Sequence, residues 1–139
     1  LGTKELESAC LTVVEVAEAA VVPVVDDVKG RVPEIYVSLK PGYAATKEIT
    51  DKIVATIETM IGKIARPKAV HIVSDMPKTR SGKIMRRVLA AISNTLDTGD
   101  ITTLANPDVV EQIRQTVQGK EKVAIKEGPE DLKLFGKEE

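Results

Sequence analysis

Five cations fall within eleven consecutive positions from Pro77 to Arg87: Lys78, Arg80, Lys83, Arg86 and Arg87. Gly82 gives the backbone freedom to turn. Behind it Ile84, Met85, Val88, Leu89 and Ile92 recur at helical spacing, so Lys83 is expected at or beside a helix N-terminus. A lysine there opposes the partial positive charge of the helix end. Unpaired N–H groups and an ammonium together favour an anion, and a carboxylate or phosphate would relieve the conflict. The run is not a P-loop. That motif needs glycine where Pro77 stands and Ser or Thr where Ile84 stands. A basic targeting tract is the plainer alternative, but the helical spacing of Ile84 and Met85 ties part of the run to a core.

Few other chemistries are open to this chain. One histidine, His71, and one cysteine, Cys10, cannot assemble a zinc site of the usual kind, so no metal site is expected. A single cysteine forms no internal disulfide, which fits a reducing compartment. Lys+Arg 20 against Asp+Glu 21 gives a net charge of -1, with no global attraction for nucleic acid or an anionic membrane. Tyr36, Tyr43 and Phe135 are the only aromatic residues, which argues against a platform for stacking bases. No apolar run reaches the roughly 20 residues of a membrane helix.

The elements that must position the basic run are legible. A helix is expected from Thr3, with Thr3 as cap and Leu6, Ala9, Cys10 and Val13 inward. Residues 17–25 are small and β-branched and read as a strand, held to an edge or bulge by Pro23. After the Asp26–Gly30 turn, residues 34–39 form a second strand. Residues 46–61 form a helix with Ile49, Ile53, Ile57, Met60 and Ile61 on one stripe and Gly62 at its end. Residues 69–73 form a short buried strand, with His71 packed in it. The basic loop and its helix follow, with Arg86, Arg87, Ser93 and Asn94 facing out. A last helix opens with Asn106 as cap and Pro107 in its first turn. This order predicts a small α+β domain, a mainly antiparallel sheet of about three strands flanked by helices, over residues 1–118. Residues 119–139 are charged with sparse apolar positions and are expected to form a mobile tail. Leu1 is not Met, so the start is read as a cut within a longer chain.

The run Pro77-Lys78-Thr79-Arg80-Ser81-Gly82-Lys83 resembles the last signature of the adenylate-forming superfamily, which comprises acyl-CoA synthetases, luciferases and peptide-synthetase adenylation domains. Leu1-Gly2-Thr3-Lys4-Glu5-Leu6-Glu7 is similar to the end of an earlier signature of the same small domain. Residues 99–107, Gly-Asp-Ile-Thr-Thr-Leu-Ala-Asn-Pro, are similar to a stretch that acetyl- and propionyl-CoA synthetases carry after their catalytic lysine. The resemblance spans residues 1 to about 117.

The resemblance implies an acetate–CoA ligase of the AMP-forming kind, inactive as an isolated domain. Lys83 would contact the carboxylate and the α-phosphate during adenylation, with Thr79, Arg80, Ser81 and Gly82 supporting the loop. After rotation of the domain, another face would serve thioester formation, with Gly2 and Thr3 beside the CoA path. Where relatives hold a CoA phosphate with arginine, an ungapped count gives Glu58; either Lys63 or Arg66 substitutes, or CoA is held differently. The implied partners are an N-terminal adenylating domain, acetate, ATP with Mg2+, and CoA, with no cofactor held by this domain alone. Family members are also silenced by acetylation of this lysine, which implies an acetyltransferase and a deacetylase acting on Lys83. The compartment expected is the cytoplasm, with a mitochondrion or other organelle as alternative. Two competing functions are a ligase for propionate or a larger acid, and a non-enzymatic basic-loop module for an anionic partner. On the residues alone, Lys78, Arg80, Arg86 and Arg87 read as a solvated or interdomain face, and Ser81 as a helix cap.

Overall fold

A computed structural model of the chain describes residues 2–127, with side chains up to residue 119. Helix α1 (Thr3–Leu11) leads into strands β1 (Val16–Asp26) and β2 (Gly30–Leu39). Helix α2 (Lys47–Met60), a 3-10 turn at Lys63–Ala65 and strand β3 (Ala69–Ile72) follow, then α3 (Arg86–Ser93) and α4 (Asp108–Glu127). The sheet order is β1-β2-β3, antiparallel between β1 and β2 and parallel between β2 and β3. It is therefore a mixed, mainly antiparallel three-stranded sheet in a small α+β domain, as expected.

Alternation along the strands sends apolar side chains to both faces. Ala19, Val21, Ile35, Val37 and Val70 meet Leu6, Ala9, Cys10 and Val13, and Ile49, Ile53 and Ile57 of α2. On the other face Ala20, Val22, Val24 and Tyr36 meet Val88, Leu89 and Ile92 of α3 and Val110, Ile113 and Val117 of α4. The sheet is thus the middle of three layers. Cys10 belongs to the first core; burial, with the nearby Glu7 charge, pushes its thiol up to about 12, so it is a packing residue.

Pro23 marks β1 as an edge strand, and the free edge is closed residue by residue. The Val21 N–H donates to Glu7 Oε2 at 2.9 Å, so it points away from β2. Two residues on, Pro23 has no N–H to leave bare; it stands opposite Pro33, so neither proline removes a ladder bond. The Val25 N–H donates to Asn94 Oδ1 at 2.9 Å, and Asn94 Nδ2 returns to the Pro23 carbonyl at 3.2 Å. Contacts of this kind occupy backbone groups that another strand would need for pairing.

Several local expectations change. Gly2 occupies the cap position of α1 in place of Thr3, and Glu5 Oε1 accepts its N–H at 3.3 Å. Met60 is 55% exposed, outside the buried stripe of α2. Ser93 is buried rather than outward, because Glu34 Oε1 accepts its hydroxyl at 2.6 Å. Helix α4 continues to Glu127, so the boundary expected between 118 and 119 falls inside a helix. The rest of the expected mobile tail, residues 128–139, lies outside the described residues.

Candidate functional site

The basic run does not enter a helix at Lys83. It folds into a small hairpin, and α3 starts only at Arg86 with Met85 in the cap position. Lys78 pairs with Ile84 across the hairpin, and the Met85 N–H donates to the Pro77 carbonyl at 2.7 Å. At the tip the Gly82 N–H donates to the Thr79 carbonyl at 2.9 Å, closing a four-residue turn. Gly82 has φ +91°, which L side chains rarely adopt, and that explains the glycine. Thr79 ties down the lysine itself: its N–H donates to the Lys83 carbonyl at 2.9 Å, and its Oγ1 accepts the Lys83 N–H at 3.1 Å. Ser81 does not cap α3; its hydroxyl lies 3.0 Å from Thr79 Oγ1. The helix-end argument for anion binding therefore falls away, and a braced turn takes its place.

Residues 104–106 brace the hairpin from outside. Leu104 bridges to Thr79 and is buried, and the Ala105 N–H donates to the Lys78 carbonyl at 2.8 Å. Asn106 Oδ1 accepts the Lys78 N–H at 2.9 Å, and its Nδ2 donates to the Met76 carbonyl at 2.8 Å. From the sheet, Glu18 Oε2 stands 2.8 Å from Lys78 Nζ. That hydrogen bond raises the Lys78 ammonium, against its partial desolvation.

Three of the five cations thus have partners inside the domain. Lys78 joins Glu18 and Asp75, and Arg86 makes a two-pronged pair with Glu7 at 2.9 and 2.8 Å. Arg87 donates to the carbonyls of Thr98 and Asp100 at 2.6 and 2.7 Å, holding the loop before residues 104–106. Arg86 and Arg87 remain exposed, so these ties hold side chains on a face that still meets solvent, as expected. Lys83 and Arg80 are exposed on the turn, and among the described residues neither side chain has a hydrogen-bond or ion-pair partner. An ammonium so presented can meet two anions at once, and no internal carboxylate must be displaced first.

The remaining site residues lie elsewhere on the fold. Gly2 and Thr3 open α1, which Glu7 connects to Arg86 just beyond the hairpin. Lys63 and Arg66 belong to the 3-10 turn and its exit, after α2. Arg66 Nη1 sits 3.5 Å from Glu58 Oε2, so two of the three residues singled out around the CoA question pair with each other. Lys63 is exposed and has no ion-pair partner among the described residues. His71 is buried and its Nε2 stands 2.8 Å from Glu34 Oε1, as a packed residue far from solvent. Among the described residues no group of three or more His, Cys, Asp or Glu side chains gathers to hold a metal. No helix there is long and apolar enough to cross a membrane. Sequence reasoning missed Asn106 and Glu18 as hairpin supports, since both act across long separations that local periodicity does not reveal.

This hairpin on a three-layer α+β domain defines a class, and the chain belongs to it: the family model for the AMP-binding enzyme C-terminal domain matches residues 5–83, ending on Lys83. More narrowly, it is the C-terminal AMP-binding domain of an acetyl-CoA-synthetase-like member of the adenylate-forming superfamily. It is 47% identical over 115 residues to the acetyl-coenzyme A synthetase of Leptospira biflexa, covering 81% of this chain and 18% of that protein. An acyl-CoA synthetase from Brucella canis superposes with a TM-score of 0.60 at 35% identity, over 64% of this chain and 16% of that one. The acetoacetyl-CoA synthetase of Streptomyces lividans shares the fold, with a TM-score of 0.68 at 21% identity over 86% of this chain and 18% of that one. The chain thus spans less than a fifth of the length of these relatives.

Proposed function

We propose that this domain serves an AMP-forming acetate–CoA ligase, with Lys83 as the catalytic lysine of its adenylation step. The observation that carries the reading is the exposed Lys83 ammonium, unpaired among the described residues, on a turn tied by Thr79 from within and by Asn106 and Glu18 at Lys78. In the first step an acetate oxygen attacks the α-phosphorus of ATP and pyrophosphate leaves. Two anions must approach each other, and an ammonium between them offsets their repulsion and the charge that develops in line. A compact point charge with three donors suits that position better than a planar guanidinium. In the second step the CoA thiol attacks the acyl carbon and AMP leaves, with another face of the domain turned inward. Gly2 and Thr3 would then border the CoA path, and Lys63, the cation without a carboxylate partner, is a better phosphate contact than Arg66.

The acyl and nucleotide pockets belong to the large adenylating domain, so the isolated domain is inactive in this reading. Mg2+ would come with the ATP phosphates in this reading. Acetylation of Lys83 would remove the charge the first step needs, making the same residue a control point for an acetyltransferase and a deacetylase. Identity to proteins named acetyl-CoA synthetase favours acetate over propionate or larger acids. A nucleic-acid module is disfavoured, because three of the five cations in the run already have internal partners. The cytoplasm remains the proposed compartment.

The test is ATP–pyrophosphate exchange by the full-length enzyme carrying this domain, driven in turn by acetate, propionate and longer acids. The expected result is strong exchange with acetate, falling as the acyl chain grows. No exchange with any acid would overturn the reading.

A further inference from the structure

Asn106 is the expected cap of the last helix, but α4 starts at Asp108 and the Asn106 side chain does not serve it. Its backbone carbonyl takes the Val109 N–H at 3.1 Å in the turn leading into the helix, while its carboxamide turns back to the hairpin. Oδ1 accepts the Lys78 N–H at 2.9 Å; Nδ2 donates to the Met76 carbonyl at 2.8 Å and to Asp75 Oδ2 at 3.3 Å. Every one of these contacts falls on residues 75–78, the segment that leads into the hairpin carrying Lys83. That segment has no β-sheet neighbour on this side except the bridge from Leu104 to Thr79. Position at the tip is therefore set by three supports: the Leu104–Asn106 segment, Glu18 through the Lys78 ammonium, and Glu7 through Arg86 at the exit.

We infer that Asn106 is the positioning residue of the Lys83 hairpin, fixing the height and direction at which the ammonium is presented during adenylation. The inference rests on the proposed role of Lys83. Its chemistry is that of a side-chain amide, donor and acceptor together, replacing a missing strand partner; no apolar or singly functional side chain does both. Replacing it by alanine would leave the Lys78 N–H and the Met76 carbonyl without partners in a half-buried place, and the strand would shift to satisfy them. A displacement of about 1 Å at a catalytic group can cost on the order of 10²-fold in rate. The fault would be confined to the step that uses Lys83.

The experiment takes the full-length enzyme carrying this domain and measures two half-reactions. One is acetate-dependent ATP–pyrophosphate exchange; the other is thioester formation from supplied acetyl-adenylate and CoA. For Asn106→Ala, exchange kcat is expected to fall roughly 10- to 100-fold with KM for ATP unchanged. Thioester formation should run at the wild-type rate. Asn106→Asp keeps the shape and the acceptor for Lys78 but loses both donors, so it should slow the same half-reaction alone, and it serves if the alanine variant fails to fold. Equal slowing of both half-reactions would mark a general structural role and overturn the inference. So would normal exchange in both variants while Lys83→Ala abolishes it. If Lys83→Ala itself exchanges normally, the role of Lys83 falls first, and this inference with it.

Discussion

At the scale of single residues, the most demanding group in the domain is buried Glu34. Burial by itself would raise its carboxyl; the hydrogen bond to His71 Nε2 at 2.8 Å, the imidazole charge and the Ser93 hydroxyl outweigh that and hold it below the usual glutamate range. Ser93 spends its one proton on Glu34, so the Tyr36 hydroxyl donates to Ser93 Oγ, 2.6 Å away. The four side chains join β2, β3 and α3. A carboxyl depressed in the folded state adds stability above its unfolded value and loses it as pH falls through the folded one. Glu34→Gln is expected to cost about 1.5–3 kcal/mol near neutral pH, the usual worth of a hydrogen bond to a charged group. It should also flatten the loss of stability on the acid side. Urea unfolding at several pH values measures both; an unchanged acid slope would refute the assignment. His71 was legible as a packed residue from its apolar strand. Its partner was not, because Glu34 and Ser93 lie 37 and 59 positions away from their contacts and nothing local links them.

Among the elements, β1 and the hairpin show where sequence patterns inform and where they mislead. Small and β-branched residues with one proline read as a strand at an edge or a bulge, and the sheet order resolves this as an edge. The same local logic misplaced Lys83. Ile84 and Met85 continue the apolar spacing of Val88 and Leu89 backwards, so they read as helix, yet they return antiparallel to Pro77 and Lys78. Periodicity reports which side chains face a core, not whether the backbone carrying them is coiled or extended over so few residues. Asn94 gives the element-scale prediction, since it holds both the Val25 N–H and the Pro23 carbonyl at the free edge. Asn94→Ala should lower stability by about 1–2 kcal/mol in chemical denaturation. It should also raise the propensity to associate through β1, seen as a concentration-dependent increase in mass by light scattering. A variant as stable and as monodisperse as wild type would show that the edge needs no cover.

Across the whole molecule, two helical layers around a mixed sheet hold a hairpin at the surface by contacts from three directions. Glu18 reaches it from β1, Arg86 anchors its exit to α1 through Glu7, and residues 104–106 flank it before α4. The family model ends on Lys83, but the domain does not, and the residues beyond it include both Asn106 and the arginine-held loop. The fold was largely readable because each element has its own periodicity. The basic run of the hairpin was readable in the sequence, and the supports that reach it from distant segments were not. Whether Lys83 acts in adenylation is decided by acetate-dependent ATP–pyrophosphate exchange in the full-length enzyme with Lys83→Ala. A loss of roughly 10²–10³ in rate, in a protein that unfolds like wild type, is the predicted result. Exchange at the wild-type rate would contradict the account and leave the hairpin as an exposed basic turn without a part in catalysis.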